Sequence, residues 1–212
     1  MGKEFLELFE QWADTYDATV DGHDPEYKDV FLHYEKILNE VAERSWGRVL
    51  EFGPGTGNLT KKLVARGLQV TAVEPSPSMR NLARKKLGSR AAILDGDFFN
   101  YPEDQTFDTM VSTYAFHHLT DAEKEQAVSG YGNHVASGGK IVFADTMYDS
   151  IEAYEKAVED ALSKGYKNLA EDLQREYYTT IPVLKEMLEK NGFSSSFERC
   201  NDFVWIMTGV KK

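Results

Sequence analysis

The sequence predicts a doubly wound α/β fold, in which a seven-stranded, mostly parallel sheet carries helices on both faces. Three observations point there. After Gly47, short apolar runs alternate repeatedly with amphipathic stretches, the pattern of parallel strands joined by crossover helices and buried on both sides. The first run leads through a glycine loop directly into a helix. The last two runs are separated only by Cys200, Asn201 and Asp202, too few residues for a crossover, so they should close the sheet as an antiparallel hairpin.

Taken in order, Phe5, Leu8, Phe9 and Trp12 fall at helical spacing and predict a short first helix. From Pro25 to Arg44, the residues Tyr27, Val30, Phe31, Tyr34, Ile37, Leu38 and Val41 form one apolar stripe, which predicts a second. RVLEF (48–52) is then the first strand, with a helix from about Asn58 to Arg66. LQVTAVE (68–74) is the second, with a helix from about Ser78 to Leu87, and AAIL (91–94) the third. FDTMVST (107–113), a helix from about Asp121 to His134, and KIVFAD (140–145) continue the series. The alternation breaks at a charged helical insertion from about Ser150 to Tyr178, before a last helix near Pro182 to Asn191. SSSFER (194–199) and FVWIMTGV (203–210) form the hairpin.

The 212 residues fit one domain. Residues 1–46 form a helical N-terminal cover and 47–212 the core. A chain of this length buries roughly 70% of its unfolded surface and needs no disulfide staples; its single Cys200 agrees. The 24 Lys and Arg against 35 Asp and Glu leave a net charge of −11. That charge repels phosphate backbones and anionic lipid, which argues against nucleic-acid and membrane partners. No secretory h-region or membrane-spanning apolar run is present, and the protein is read as cytoplasmic.

The segment Val49-Leu50-Glu51-Phe52-Gly53-Pro54-Gly55-Thr56-Gly57-Asn58 takes a strand through a loop into a helix start. Glycines there permit positive φ and close approach of a ligand to backbone N–H groups. The spacing is G-x-G-x-G, whereas a dinucleotide fingerprint needs its third glycine where Asn58 stands. Glu51 adds a carboxylate at the strand end, poorly placed for a pyrophosphate and well suited to a cationic or hydroxylated ligand. Glu74, 21 residues after Gly53, ends the second strand, where an acid accepts both hydroxyls of a ribose. Asp97 follows the third strand, placed to accept an exocyclic adenine amine, with the Phe98 N–H donating to the ring. Met79, Phe98 and Phe99 are candidates to line the adenine plane, although plain core is the ordinary role of such residues.

The three stations EFGPGTGN, VEPSPSM and DGDF, on successive strands, resemble those of the class I S-adenosylmethionine-dependent methyltransferases. The resemblance runs from about Phe9 to the C-terminal hairpin. It includes the Trp12-Ala13-Asp14-Thr15-Tyr16-Asp17 entry, and it is strongest to the uncharacterised bacterial YrrT-type group. It implies a Rossmann-like sheet of order 3-2-1-4-5-7-6 with strand 7 antiparallel. It also implies S-adenosyl-L-methionine as cofactor. The loop at Gly53 and Gly55 would hold the methionine part, Glu74 the ribose, and Asp97 and Phe98 the adenine. Glu51 suits the cofactor's ammonium and sulfonium. The expected activity is in-line transfer of a methyl group to a small-molecule acceptor.

Catalytic side chains are not defined by the sequence. His117 or His118, after the fourth strand, is the candidate general base, His117 being the one named; packing after the strand is the competing role. Because adjacent residues rarely face one site together, one of the two at most is expected to do so. No metal is expected, since the histidines show no ligand spacing. Tyr16 is a candidate to reach the cofactor or shield the site. Tyr148, Tyr154, Tyr166, Tyr177 and Tyr178 suggest an aromatic cover over the acceptor, or packing alone. Two other readings stand beside the first: a catalytically silent protein binding S-adenosylmethionine or S-adenosylhomocysteine, and an NAD(P)-dependent oxidoreductase. The latter lacks a Tyr-x-x-x-Lys pair.

Overall fold

Strands β1 (Arg48–Phe52), β2 (Gln69–Val73), β3 (Ala92–Leu94), β4 (Phe107–Thr113), β5 (Val135–Thr146), β6 (Phe193–Arg199) and β7 (Val204–Lys211) form one sheet in the computed structural model. Its order is β3-β2-β1-β4-β5-β7-β6. All neighbours are parallel except β7, which runs antiparallel between β5 and β6, as expected. The structure describes Glu10 and residues 16–212. The helix expected over Phe5 to Trp12 lies outside the described residues apart from Glu10.

Alternation along the strands explains why the sheet is buried on both sides. Leu50 and Phe52 of β1, Met110 of β4, and Ile141 and Phe143 of β5 enter one core. Val49, Val111, Val142 and Ala144, their alternates, enter the other. The first core is rich in aromatic rings: Phe52 stacks on Phe98 at 5.2 Å and on Tyr131 at 5.0 Å between centroids. The second is closed by α1 (Tyr34–Arg44) and α2 (Asn58–Ala65).

The longer helices that follow are α3 (Pro77–Leu87), α4 (Asp121–His134), α5 (Ile151–Ser163), α6 (Lys167–Arg175) and α7 (Ile181–Lys190). Helix α4 begins where a capping box dictates: the Thr120 hydroxyl accepts from the Glu123 N–H, and the Glu123 carboxylate accepts from the Thr120 N–H. Among the described residues, no helix is long and apolar enough to cross a membrane.

One expectation is corrected. The stripe from Pro25 to Arg44 is not one helix, because only Tyr34–Arg44 is α-helical and His33 stands at φ 68°. Asn201, in the β6–β7 turn, donates through Nδ2 to the carbonyls of Val30 and Leu32 at 3.1 and 2.9 Å. Those tertiary bonds replace helical ones, so the apolar residues are buried without continuing the helix. The helical insertion expected from Ser150 to Tyr178 consists of two helices divided at Gly165 (φ 77°). Gly165 N–H donates to the Leu162 carbonyl and Tyr166 N–H to that of Ala161, a Schellman ending that turns α6 back onto α5. This pair forms a third apolar cluster around Val30, Tyr148, Leu169 and Leu173, which covers the carboxyl end of the sheet.

Candidate active site

The β1–α2 loop is built from glycine because its backbone must turn three times through positive φ, at Gly53 (62°), Gly55 (55°) and Gly57 (89°). A Cβ on Gly53 would stand 2.9 Å from that of Ala115, whereas one on Gly55 would meet nothing within 4 Å. The loop is therefore packed on one side and open on the other. The open side faces a cleft of about 690 Å³, bordered by Gly53, Gly55, Glu74, Met79, Asp97 and Phe98. Five of the six expected cofactor-binding residues border this one cleft.

Glu74 is 4% exposed and turns its carboxylate inward: Oε2 accepts from the Gly55 N–H at 3.0 Å and Oε1 from the Ser76 N–H at 2.9 Å. Burial pushes its carboxyl up to about 7 against the pull of those amides and of Arg80. Asp97 Oδ1 accepts from the N–H groups of Phe99 and Asn100 at 2.8 and 3.0 Å, which fixes the turn. Met79 and Phe98 border the cleft, while Phe99 packs on the core instead. Phe98 does both, since its ring is stacked on Phe52.

Glu51 is the sixth residue, and it does not border the cleft. Strand alternation sends its side chain to the face of Val49, beneath Thr60 of α2, rather than out of the strand end. It is 1% exposed, and among the described residues neither carboxylate oxygen completes a hydrogen bond. Burial pushes its carboxyl up to about 8, with Thr60 partly opposing and Glu74 adding to the rise.

A larger cavity of about 1640 Å³ lies beneath α6, walled by Tyr27, Phe31, Leu173, Glu176, Tyr178 and Phe203 among others. Tyr16, Tyr114 and His118 border both spaces, so the two meet there. Tyr114 holds a φ of 53°, a costly conformation for a residue with a bulky side chain. Its ring is clamped by Phe31 and Tyr34, at 5.2 and 5.5 Å between centroids. Of the five tyrosines clustered in sequence, only Tyr178 lines the larger cavity. Tyr148, Tyr154 and Tyr166 pack in the cover and Tyr177 is exposed.

Both histidines face this cavity, against the expectation that adjacent residues diverge: the 3₁₀ turn Phe116–His118 brings their rings to 4.1 Å between centroids. Asp145, at the end of β5, holds His117 by its Nδ1 at 2.6 Å, and accepts the N–H groups of Phe116 and His117 through Oδ2. On its other side, His117 Nε2 lies 3.5 Å from Glu176 Oε2, and its ring stacks on Tyr178. Burial works against a charged His117, but Asp145 and Glu176 outweigh it and hold its pKa above the ordinary value. Burial and the neighbouring His117 hold His118 well below, so His118 is neutral.

The sequence reading missed the hydrogen bonds that seat Glu10 and Asp17. Asp17 accepts from the Thr56 hydroxyl at 2.6 Å, from Asn58 and from Lys86. Glu10 accepts from the hydroxyls of Ser76 and Ser78. These acids have no motif of their own; they are complementary to the N-terminal ends of α2 and α3.

Known proteins similar to this chain give its family. A methyltransferase-domain family model matches residues 49–139. An uncharacterised methyltransferase of Geobacillus kaustophilus (strain HTA426) is 55% identical over 100% of this chain and 99% of its own length. Another, from Anoxybacillus flavithermus (strain DSM 21510 / WK1), is 56% identical over 100% of both. Among solved structures, the complex of DhpI with S-adenosylhomocysteine matches with a TM-score of 0.71 and 20% identity, covering 99% of this chain and 96% of that one. The chain belongs to the class I S-adenosylmethionine-dependent methyltransferases. Within that class it stands with the uncharacterised methyltransferases of Geobacillus and its relatives, which it matches end to end.

The residues present fit S-adenosylmethionine as the cofactor. None of the described residues bordering the smaller cleft is Lys or Arg, which suits a ligand without phosphates. The open face at Gly55 leaves backbone accessible to it. The buried Glu51 carboxylate beside the loop is short of partners, as a site for a nearby cation would be.

Proposed function

We propose that the smaller cleft holds S-adenosylmethionine and the larger cavity a small-molecule methyl acceptor, the two meeting at Tyr16, Tyr114 and His118. That shared border is the observation that carries the reading. The bound cofactor supplies a methyl group on a sulfonium, a good leaving group. Gly53 and Gly55 offer backbone to its methionine part, Glu74 takes the ribose, and Asp97 with the Phe98 N–H takes the adenine. Glu51 acts at longer range as the countercharge to the ammonium. The chain's remaining task is to align the acceptor and exclude water. Tyr114 and the neutral His118 hold the nucleophile at the junction, and His117, engaged by Asp145 and Glu176, positions His118.

Calorimetry with S-adenosylhomocysteine tests the cofactor half. Asp97→Ala or Glu74→Ala should weaken binding by about ten- to a hundredfold, the worth of a charge-assisted hydrogen bond. Tight binding of NAD with none of the sulfur ligand would refute it. Transfer of a tritiated methyl group to fractionated small metabolites tests the other half; persistent failure in spite of binding would favour a silent binding protein.

A further inference from the structure

We infer that His117, His118 and Glu176 form a binding site for a divalent transition metal of the zinc class in the wall of the larger cavity. One donor atom from each of the three lies within 4.8 Å of the others. The donor set, two imidazoles and a carboxylate, suits zinc, cobalt(II) or iron(II) and not the harder calcium or magnesium.

The spacing is close to what such an ion requires. Donors at 2.0–2.1 Å in tetrahedral arrangement stand roughly 3.3 Å apart, and His117 Nε2 lies 3.5 Å from Glu176 Oε2. The widest separation, up to 4.8 Å, closes with side-chain rotation on the order of 1 Å.

The surroundings carry a second, independent feature. A metal-binding imidazole needs its other nitrogen held by an acceptor, which fixes the tautomer and aims the ligating lone pair. His117 has that arrangement: Nδ1 donates to Asp145 Oδ1 at 2.6 Å, leaving Nε2 directed at Glu176. Asp145 is itself fixed by the N–H groups of Phe116 and His117. Glu176 is held by the Tyr178 hydroxyl at 2.5 Å. Three protein ligands leave a position open, and all three residues line the cavity, so that position is available to a small molecule. This is the form of a catalytic rather than a structural site.

The sequence expectation of no metal rested on spacing within short motifs. Glu176 reaches the histidines only because the cover folds back over the sheet, which no local motif records. The proposed use of the ion rests on the methyltransferase reading: it would bind the acceptor's nucleophilic oxygen, nitrogen or sulfur and lower its pKa beside the cofactor cleft. Metal binding does not rest on that reading.

The test is a titration of the tag-free, chelator-stripped chain with cobalt(II), without cofactor, followed by competition with zinc. The site predicts one equivalent per chain, with the intense visible bands of four- or five-coordinate cobalt. Asp145→Asn should weaken binding by about 10–100-fold, and His118→Ala and Glu176→Gln more than that. His23→Ala, at an exposed histidine outside the site, should change nothing. Circular dichroism shows which variants are folded, and two ligand variants from different segments guard against one failing to fold. A spectrum of six-coordinate aquo cobalt, or bands that survive both ligand variants, would overturn the proposal. Calorimetry with S-adenosylhomocysteine is a separate measurement, so a failed metal site and a failed cofactor site are told apart.

Discussion

The two spaces that meet at His118 are built by different means. The smaller cleft is made at the ends of β1, β2, β3 and β4 by short segments that follow one another in the chain, with Tyr16 beside them. Much of its polar chemistry is backbone, ordered by Glu74 and Asp97. The larger cavity takes its walls from residues 16–31, 114–118, 146, 168–178 and 203, brought together by the cover. The first is a property of local chain geometry and the second of tertiary packing. They should therefore respond differently to mutation.

A change beneath both gives the largest effect. Phe52→Ala, in the fully buried aromatic cluster, should cost about 3–5 kcal/mol in denaturant unfolding and weaken the whole sheet. Leu173→Ala, 1% exposed in the cover, should cost about 2–5 kcal/mol yet concentrate its damage. Hydrogen exchange should quicken in 150–178 while β1 and β4 stay protected, and S-adenosylhomocysteine affinity should hold. Equal loss of protection in both regions would erase the distinction between them.

A pH titration separates the regions next. The folded Glu51 and Glu74 carboxyls stand at about 8 and about 7, above their unfolded values. The folded chain thus keeps protons that the unfolded chain has released. Stability of the cofactor-free protein should fall as pH rises from about 5 to about 8, by up to ~1.4 kcal/mol per pH unit for each group. Glu51→Gln should flatten much of that slope in thermal melts. S-adenosylhomocysteine binding should run the other way, strengthening with pH as Glu51 ionises opposite the ammonium. The smallest effect belongs to the cover's surface: Lys164→Ala removes an exposed pair with Asp29 and should cost less than ~0.5 kcal/mol.

The same division explains what the sequence revealed. Strand order and the hairpin were readable, and five of the six expected cofactor residues gather at one cleft, because alternation, glycine spacing and strand-end acids are local patterns. The side-chain direction of Glu51 was missed because its place near the strand end reads as pointing into the loop, whereas alternation puts it on the face of Val49, under Thr60. His118, rather than His117, borders both spaces, and their shared 3₁₀ turn has no signature in two identical letters. The helix expected from Pro25 failed for a related reason. Its apolar period was genuine, but the bonds from Asn201, far along the chain, decided its conformation.

That asparagine also sets an order of assembly. Its side chain accepts from the N–H groups of Phe203 and Val204 at 2.8 and 2.6 Å while donating to Val30 and Leu32. The wall at residues 30–32 therefore waits for one of the last segments to leave the ribosome. A nascent chain carrying β1 to β5 already possesses its glycine loop and strand-end acids, but it lacks the Asn201 bonds that fix the carbonyls of Val30 and Leu32. During synthesis the smaller cleft can form first, and the larger cavity is completed when the hairpin arrives.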